Sequence, residues 1–490
     1  MRQENLADHS RELSAFPKDR RALVAIDLGA ESCRVSLLRW TREESSIQLV
    51  HRVANDVVDR ADGLHWDLQM ILSGLERGLT DCAFIATEGI RSIAVDGWAV
   101  DYVRLDELGN AIADPFCYRD ERTLSSMRAL HHRLSPERMR DITGLQLLRI
   151  NTAYQMFADR ADLLQERWLN LPEYVLYWLG GRPVAELTNA SHTQMVGLDG
   201  RWSAEIFAAI GASVENAPLL EKPGTDVGRL NGKLSTLAAF VDTRLIAPAC
   251  HDTASAIAAI PDTGDDWAYI SSGTWSLVGK VLDSPINSQL ARAENFTNLR
   301  GVDDTFCFHK NVNGMWLLRQ CIAAWNQEIK ITDGVPLTID GLIIAASAFA
   351  PRGYTLDVDD DDLLLPGHMP ERINAQMRRR RLPDLDPSPQ HAAELASFLF
   401  HSLAARYAEV LGSVAAITGK PLKRLYVMGG GSQNELLNRL TAEATGLQVI
   451  RAGVECSTIG NFAVQLATLE SDAEVGARPT AAWSARLQRL

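Results

Sequence analysis

The chain has 490 residues, 46% hydrophobic and 23% charged, ordinary globular usage that excludes a disordered, collagen-like or repeat-only chain. Its 49 basic and 62 acidic residues sum to −13, so it has no general attraction for nucleic acid or an anionic membrane. At roughly 150 residues per domain the length allows about three domains, and two large α/β lobes fit equally well.

Residues 1–20 show no clear period and read as a loose tail without the apolar core of a signal peptide. Residues 22–26 form a buried-strand run ending in Asp27-Leu28-Gly29, and residues 34–40 read as a second strand, which predicts a hairpin. Residues 67–79 have helical spacing, and residues 91–95 are a strand ending in Asp96-Gly97-Trp98. Strand, hairpin, helix and strand in that order point to a mixed α/β layer. Near the middle, residues 245–250 lead into His251-Asp252-Thr253, and residues 267–270 into Ser271-Ser272-Gly273-Thr274 with another strand behind. This is the form of the Asp27 hairpin again, with different residues. A long amphipathic helix spans 392–417 and stops at Gly419, with Pro421 beyond. The strand 424–428 then meets Gly429-Gly430-Gly431. Ser432 or Asn434 caps a helix over 435–444 that Gly446 ends, and the strand 447–450 follows.

A lobe boundary falls near residue 256, dividing the chain into 21–256 and 257–490. The segment 357–383, with its DVDDDD and four-arginine runs, reads as a solvated surface loop; it lacks the glycine and closing glutamate of an EF-hand. Seven scattered cysteines without a CxxC pair exclude a zinc ribbon or thioredoxin motif. They suit reduced thiols in a cytoplasmic setting. No run of about 18 apolar residues exists, so no membrane helix is expected.

Three small-residue turns close strands, at 27–32, 271–274 and 429–432, and each offers backbone N–H groups that suit a polyphosphate. No Walker A sequence and no GxGxxG is present, which removes support for P-loop and dinucleotide-binding readings. Singly, each turn is more often an ordinary tight turn than a phosphate site.

In this order the turns, with AIDLGAESCRV (25–35), GWAVDYVRLDELGN (97–110), PFCYRDERT (115–123), INTAYQMF (150–157), LTNASHTQMV (187–196), CHDTASA (250–256), SSGTWSLVG (271–279), KNVNGMWLL (310–318), MGGGSQNELLN (428–438) and ECSTIGN (455–461), resemble the FGGY family of carbohydrate kinases in the actin/hexokinase-like superfamily. The Trp98, HDT and SSGTWSL segments favour one ketose-kinase branch over the xylulose and glycerol kinases. The resemblance implies an α/β fold of two ribonuclease-H-like lobes with a cleft between them. It also implies transfer of the γ-phosphate of MgATP to the C1 hydroxyl of a ketose. The expected partners are the sugar and ATP alone, with the protein a monomer or homodimer.

By the same resemblance Asp252 is the general base, with a helix cap as its alternative reading, and Asp27 holds Mg2+ through water, with a plain turn aspartate as the alternative. His251, Thr253, Asn311 and Ala99 fall on the sugar side. Trp98, Asp101 and Asn151 are weaker sugar-pocket positions, and a core role for Trp98 weighs about as much as sugar stacking. Ala30, Glu31, Ser32, Cys33 and Arg34 match the first phosphate loop, Thr274 the second, Arg319 a nucleotide contact, and Gly430 and Gly431 the adenosine-side turn. Four positions depart from the family pattern. Glu31 and Cys33 stand where a small residue and a glycine are usual, Arg319 replaces a glutamine, and Ala99 replaces a glycine. These departures keep two alternatives open: a kinase for another ketose such as L-fuculose, and a catalytically silent sugar sensor.

Overall fold

The computed structural model describes residues 17–40, 44–331, 334–365, 367–470 and 478–488; of the expected tail, residues 1–16 lie outside them. The apolar run at the start forms β1 (Ala22–Leu28) and turns directly into β2 (Ser32–Trp40), antiparallel, with Asp27 opposite Arg34. Next come β3 (Ser45–Ala54), β4 (Ile90–Gly97), β5 (Thr225–Arg229) and β6 (Arg244–Ala247), and the sheet order is β5-β6-β4-β1-β2-β3. β4 runs parallel to β1, and β6 runs parallel to β4. Strands buried on both faces carry unbroken apolar runs, as β1 does.

The second half repeats the plan. Its strands are β7 (Trp267–Ser272), β8 (Trp275–Leu282), β9 (Thr297–Arg300), β10 (Phe306–Asn313), β11 (Arg424–Met428) and β12 (Gln448–Gly453), in the order β9-β10-β8-β7-β11-β12. Once more a hairpin, β7–β8, has an antiparallel neighbour on one side and parallel strands on the other. The chain is therefore a two-lobed α/β protein.

Six helices matter for the site: α1 (Leu68–Ile85), α2 (Asp252–Ala258), α3 (Trp316–Ile331), α4 (Ala392–Thr418), α5 (Glu435–Thr445) and α6 (Cys456–Leu469). Asp67 caps α1 by accepting from Met70 N, Gly419 ends α4 in a left-handed turn, and Asn434, not Ser432, caps α5. Two helices tie the lobes together. α2 leaves the first sheet, yet Ile257 packs with Trp267 and Tyr269 of the second. α6 leaves the second sheet, yet Phe462, Ala463 and Leu466 pack on Leu23, Ala25 and Leu38 of the first. Residue 256, the expected lobe boundary, sits inside α2.

The segment 357–383 is not the open loop expected. It contains the helix Met369–Arg379, which buries Met369, Ile373 and Met377 at four-residue spacing. The acidic and arginine runs hold each other, Arg379 reaching Asp360 at 2.7 Å and Asp362 at 2.8 Å. Among the described residues no helix is long and apolar enough to cross a membrane. All seven cysteines are buried and unpaired.

Candidate active site

Asp252 stands where β6 has ended and α2 begins. Asp252 occupies the first turn of α2 rather than capping it, and His251 is the N-cap without a side-chain cap bond. The Asp252 side chain keeps 36% exposure, with His251 Nε2 at 3.5 Å from Oδ1. The neighbouring Thr253 hydroxyl donates to Oδ1 at 3.1 Å. Burial and then the charge of Asp27 push its carboxyl up to about 7. An accessible carboxyl with that proton affinity can receive a proton near neutral pH.

Asp27 ends β1 and is 2% exposed. Its carboxylate accepts from Arg34 at 2.7 Å and from the Ser457 hydroxyl of α6. Directly across the parallel pairing lies Asp96, a residue that sequence reasoning took only for a strand end. Asp96 is fully buried, Asn461 donates to its Oδ2 at 2.6 Å, and its Oδ1 has no partner. Burial first, then the charges of Asp27 and Asp252, hold Asp96 well above the ordinary carboxylate range. Three carboxyl groups crowd around one guanidinium, with an orphaned oxygen among them; hard oxygen donors of this kind suit Mg2+. Among the described residues no three acidic, histidine or cysteine side chains are placed to ligate an ion directly.

The turns at 271–274 and 429–432 stack on one another. Gly429 has φ +79°, and a Cβ there would stand 2.8 Å from Ser272 O; a Cβ at Gly431 would stand 1.9 Å from Ser272 Oγ. Gly430 faces open space. Met315 N donates to Gly273 O at 3.1 Å and Trp316 N to Thr274 O at 3.2 Å, so α3 starts against the 271–274 turn. Ser272 Oγ is buried there without a partner. Cys33 has no left-handed φ and buries its side chain in the first core, so the replaced glycine costs the backbone nothing. Ala30 packs against the same core, and Ser32 opens β2.

Two of the departures meet. Arg319 of α3 reaches Glu31 of the β1–β2 turn at 3.1 Å, joining the lobes at the mouth of the cleft with side chains 46% and 75% exposed. Glu31 thus occupies the donor that Arg319 would offer a phosphate. An exposed pair of this kind is worth about 0.2–1 kcal/mol. Glu31→Ser is therefore expected to tighten MgATP binding by roughly 1.4- to 5-fold, with a smaller effect on MgADP. Calorimetry with both nucleotides checks this, and weaker binding would mean that Glu31 supports the metal instead.

At the other expected positions, His251 packs edge-on against His192, ring centroids 4.8 Å apart. Asn311 of β10 donates to Gln146 Oε1 of the other lobe at 2.8 Å. Neither His192 nor Gln146 was visible from sequence; only the LTNASHTQMV match pointed near the first. Ala99 is 7% exposed, and Val100 beside it has φ +76°, costly for a β-branched residue. Thr152 holds that geometry by donating to Val100 O at 2.7 Å. Three expected positions turn inward. Asp101 is fully buried and accepts from Trp66 and Trp98 at 2.6 and 2.9 Å, Tyr118 N at 3.2 Å and Gln155 at 2.9 Å. Trp98 spends its N–H on that carboxylate and packs on Trp66. Asn151 bonds Leu148 N and His192 O.

A cleft between two repeated α/β lobes, with carboxylates on one side and stacked glycine turns on the other, is the arrangement of a sugar kinase. Residues 22–259 match the N-terminal domain, and residues 268–469 the C-terminal domain, of the FGGY family of carbohydrate kinases. The chain belongs to this family. It is 34% identical over 445 residues to the rhamnulokinase of Bacillus subtilis (strain 168), covering 90% of this chain and 89% of that protein. Among solved structures, a ligand-bound xylulose kinase from Lactobacillus acidophilus superposes with TM-score 0.74 at 13% identity over 96% of both chains. A gluconate kinase from the same organism gives 0.75 at 13% identity, over 96% of this chain and 95% of that one.

Proposed function

We propose that the protein transfers the γ-phosphate of MgATP to the C1 hydroxyl of a ketose, L-rhamnulose giving L-rhamnulose 1-phosphate, with Asp252 as general base. The observation that carries this reading is the Asp252 carboxyl, part exposed, raised to about 7 and set among Asp27, Asp96 and Arg34. The sugar lies on the side of residues 21–256, against His251, Thr253 and Ala99, with Asn311 reaching it from the other lobe, and the nucleotide on the side of 257–490. Asp252 takes the proton of the C1 hydroxyl as its oxygen bonds the γ-phosphorus, and the bond from that phosphorus to the β–γ bridging oxygen breaks to release ADP. Asp27 and Asp96 would hold the Mg2+ ion, and Thr274 with the glycine turn would cradle the phosphates. Mg2+, when bound, neutralises the charge building on the phosphate oxygens. The Trp98, HDT and SSGTWSL segments and the Bacillus subtilis relative, a rhamnulokinase, support L-rhamnulose; Ala99 keeps L-fuculose as the rival.

A panel of ketoses in a coupled ADP-release assay tests the substrate. L-rhamnulose is expected to give the highest kcat/KM, and a preference for L-fuculose would replace it. Because the proposed sugar contacts come from both lobes, the bound sugar favours a closed cleft. The ketose is then expected to raise the affinity for a nonhydrolysable ATP analogue, and the analogue to raise ketose affinity by the same factor. Identical affinities with and without the sugar, together with an unchanged radius of gyration, would mean a rigid cleft.

A further inference from the structure

Behind the Asp252 turn lies a buried acidic pair that none of the proposed chemistry uses. Glu186 closes the short strand Val184–Glu186 and is wholly buried. Its carboxylate accepts from uncharged donors: Thr188 N at 2.8 Å, the Thr188 hydroxyl, and Cys250 N at 2.7 Å. Thr188 Oγ1 in turn accepts from His251 N at 3.3 Å. The amides of the two residues directly before Asp252 therefore hang on one glutamate–threonine pair, 64 and 63 positions earlier in the chain.

The pair is itself fixed. Glu173 accepts from Glu186 N at 3.1 Å and from Asn189 at 2.8 Å. On the opposite side of the turn, Gly97 N donates to Cys250 O at 3.0 Å, so the peptide before His251 is gripped from both faces. The same segment carries His192 to the His251 ring. Three donors on two oxygens call for the ionised form of Glu186, and burial opposes it by driving the carboxyl up to about 8. A carboxyl buried on these terms is spent on geometry, because apolar residues would pack the same space without it.

We propose that Glu186 is a positioning residue for phosphoryl transfer: through Cys250 N–H and, by way of Thr188, His251 N–H, it fixes the turn that aims Asp252 at the sugar hydroxyl. The proposal rests on Asp252 as the base. Displacement of a reacting group by about 1 Å can cost on the order of 10²-fold in rate. Glutamine offers only one acceptor oxygen, so in Glu186→Gln an NH2 group must face Thr188 or Cys250 N.

The experiment is a cycle of Glu186→Gln and Asp252→Asn, read by kcat, KM for each substrate and thermal melting. Glu186→Gln is expected to lower kcat by about 10²-fold with KM for ATP nearly unchanged. In the Asp252→Asn background it is expected to remove little more, because groups that act as a unit are not additive. Thr188→Val should show the same pattern, and Thr188→Ser, which restores the hydroxyl, should recover the rate. Folded Glu186→Gln with wild-type kcat overturns the proposal, and so does an equal fold-loss in both backgrounds, which would place its effect elsewhere. Should Glu186→Gln fail to fold, the Thr188→Val and Thr188→Ser pair in both Asp252 backgrounds decides the question. A slow Asp252→Asn beside a normal Glu186→Gln removes only the positioning role; a normal Asp252→Asn removes the base assignment and this proposal with it.

Discussion

Asp252→Asn is expected to lower kcat by about 10²–10⁴-fold, the usual cost of removing a general base, with little change in KM for either substrate. Asparagine keeps the shape of the side chain and its place in the first turn of α2, so the loss reads the proton and not the fold. Near-normal turnover would sink the assignment. The pH profile gives an independent reading. The raised carboxyl, at about 7, is protonated below that value and cannot accept the sugar proton. In the wild type kcat/KM is therefore expected to rise with pH through about 7 and then level. Burial raises this value most and Asp27 next, while the hydrogen bonds from Thr253 and then the charge of Arg34 lower it. His251 does not supply the limb, because burial drives its ring well below the ordinary range and keeps it neutral. In Asp252→Asn the rising limb near 7 should vanish from the residual activity; a limb that stays would belong to another group.

The hairpins and their terminal turns were readable because they rest on local signals: a run of five apolar residues that opens β1, then small residues that let the chain reverse. The long helix was readable for the same reason, its apolar spacing running unbroken to Gly419. What sequence could not show is which distant groups share a site. Asp101 looks like a polar residue beside a pocket, and only the fold brings Trp66, Trp98, Tyr118 and Gln155 onto its carboxylate. Glu31 and Arg319 read as separate departures, 288 positions apart, and become one ion pair in space. Asp96 was hidden differently. Its place opposite Asp27 depends on the register of a parallel pair joined through α1, and register across such a crossover leaves no mark in local sequence. The helix Met369–Arg379 was masked by charge: four arginines and an acidic run outweighed three well-spaced apolar residues.

Gly460→Ala is expected to damage stability and catalysis together. Gly460 lies within α6 where that helix crosses α2, and a Cβ there would stand 1.7 Å from Ser255 O and 3.1 Å from Ala259 N. Both neighbours are backbone, so no side chain can turn aside and the two helices must part. Overpacking of this kind typically costs about 1–3 kcal/mol, and occasionally more. The same crossing carries chemistry from both helices: α2 begins with Asp252, while α6 supplies Ser457 to Asp27 and Asn461 to Asp96. Parting them moves the base relative to the Asp27 carboxylate, and about 1 Å of misplacement is enough for a loss of order 10²-fold. Gly412 provides the control, since it lies in α4 with nothing within 4 Å of a built Cβ. Gly412→Ala should raise stability by roughly 0.5–1 kcal/mol through helix propensity alone and leave kcat unchanged. Melting and kcat measured on both variants separate the two effects. A Gly460→Ala protein that melts and turns over like the wild type would show that α2 and α6 yield without moving the site, and the crossing would then be no fixed support for the base.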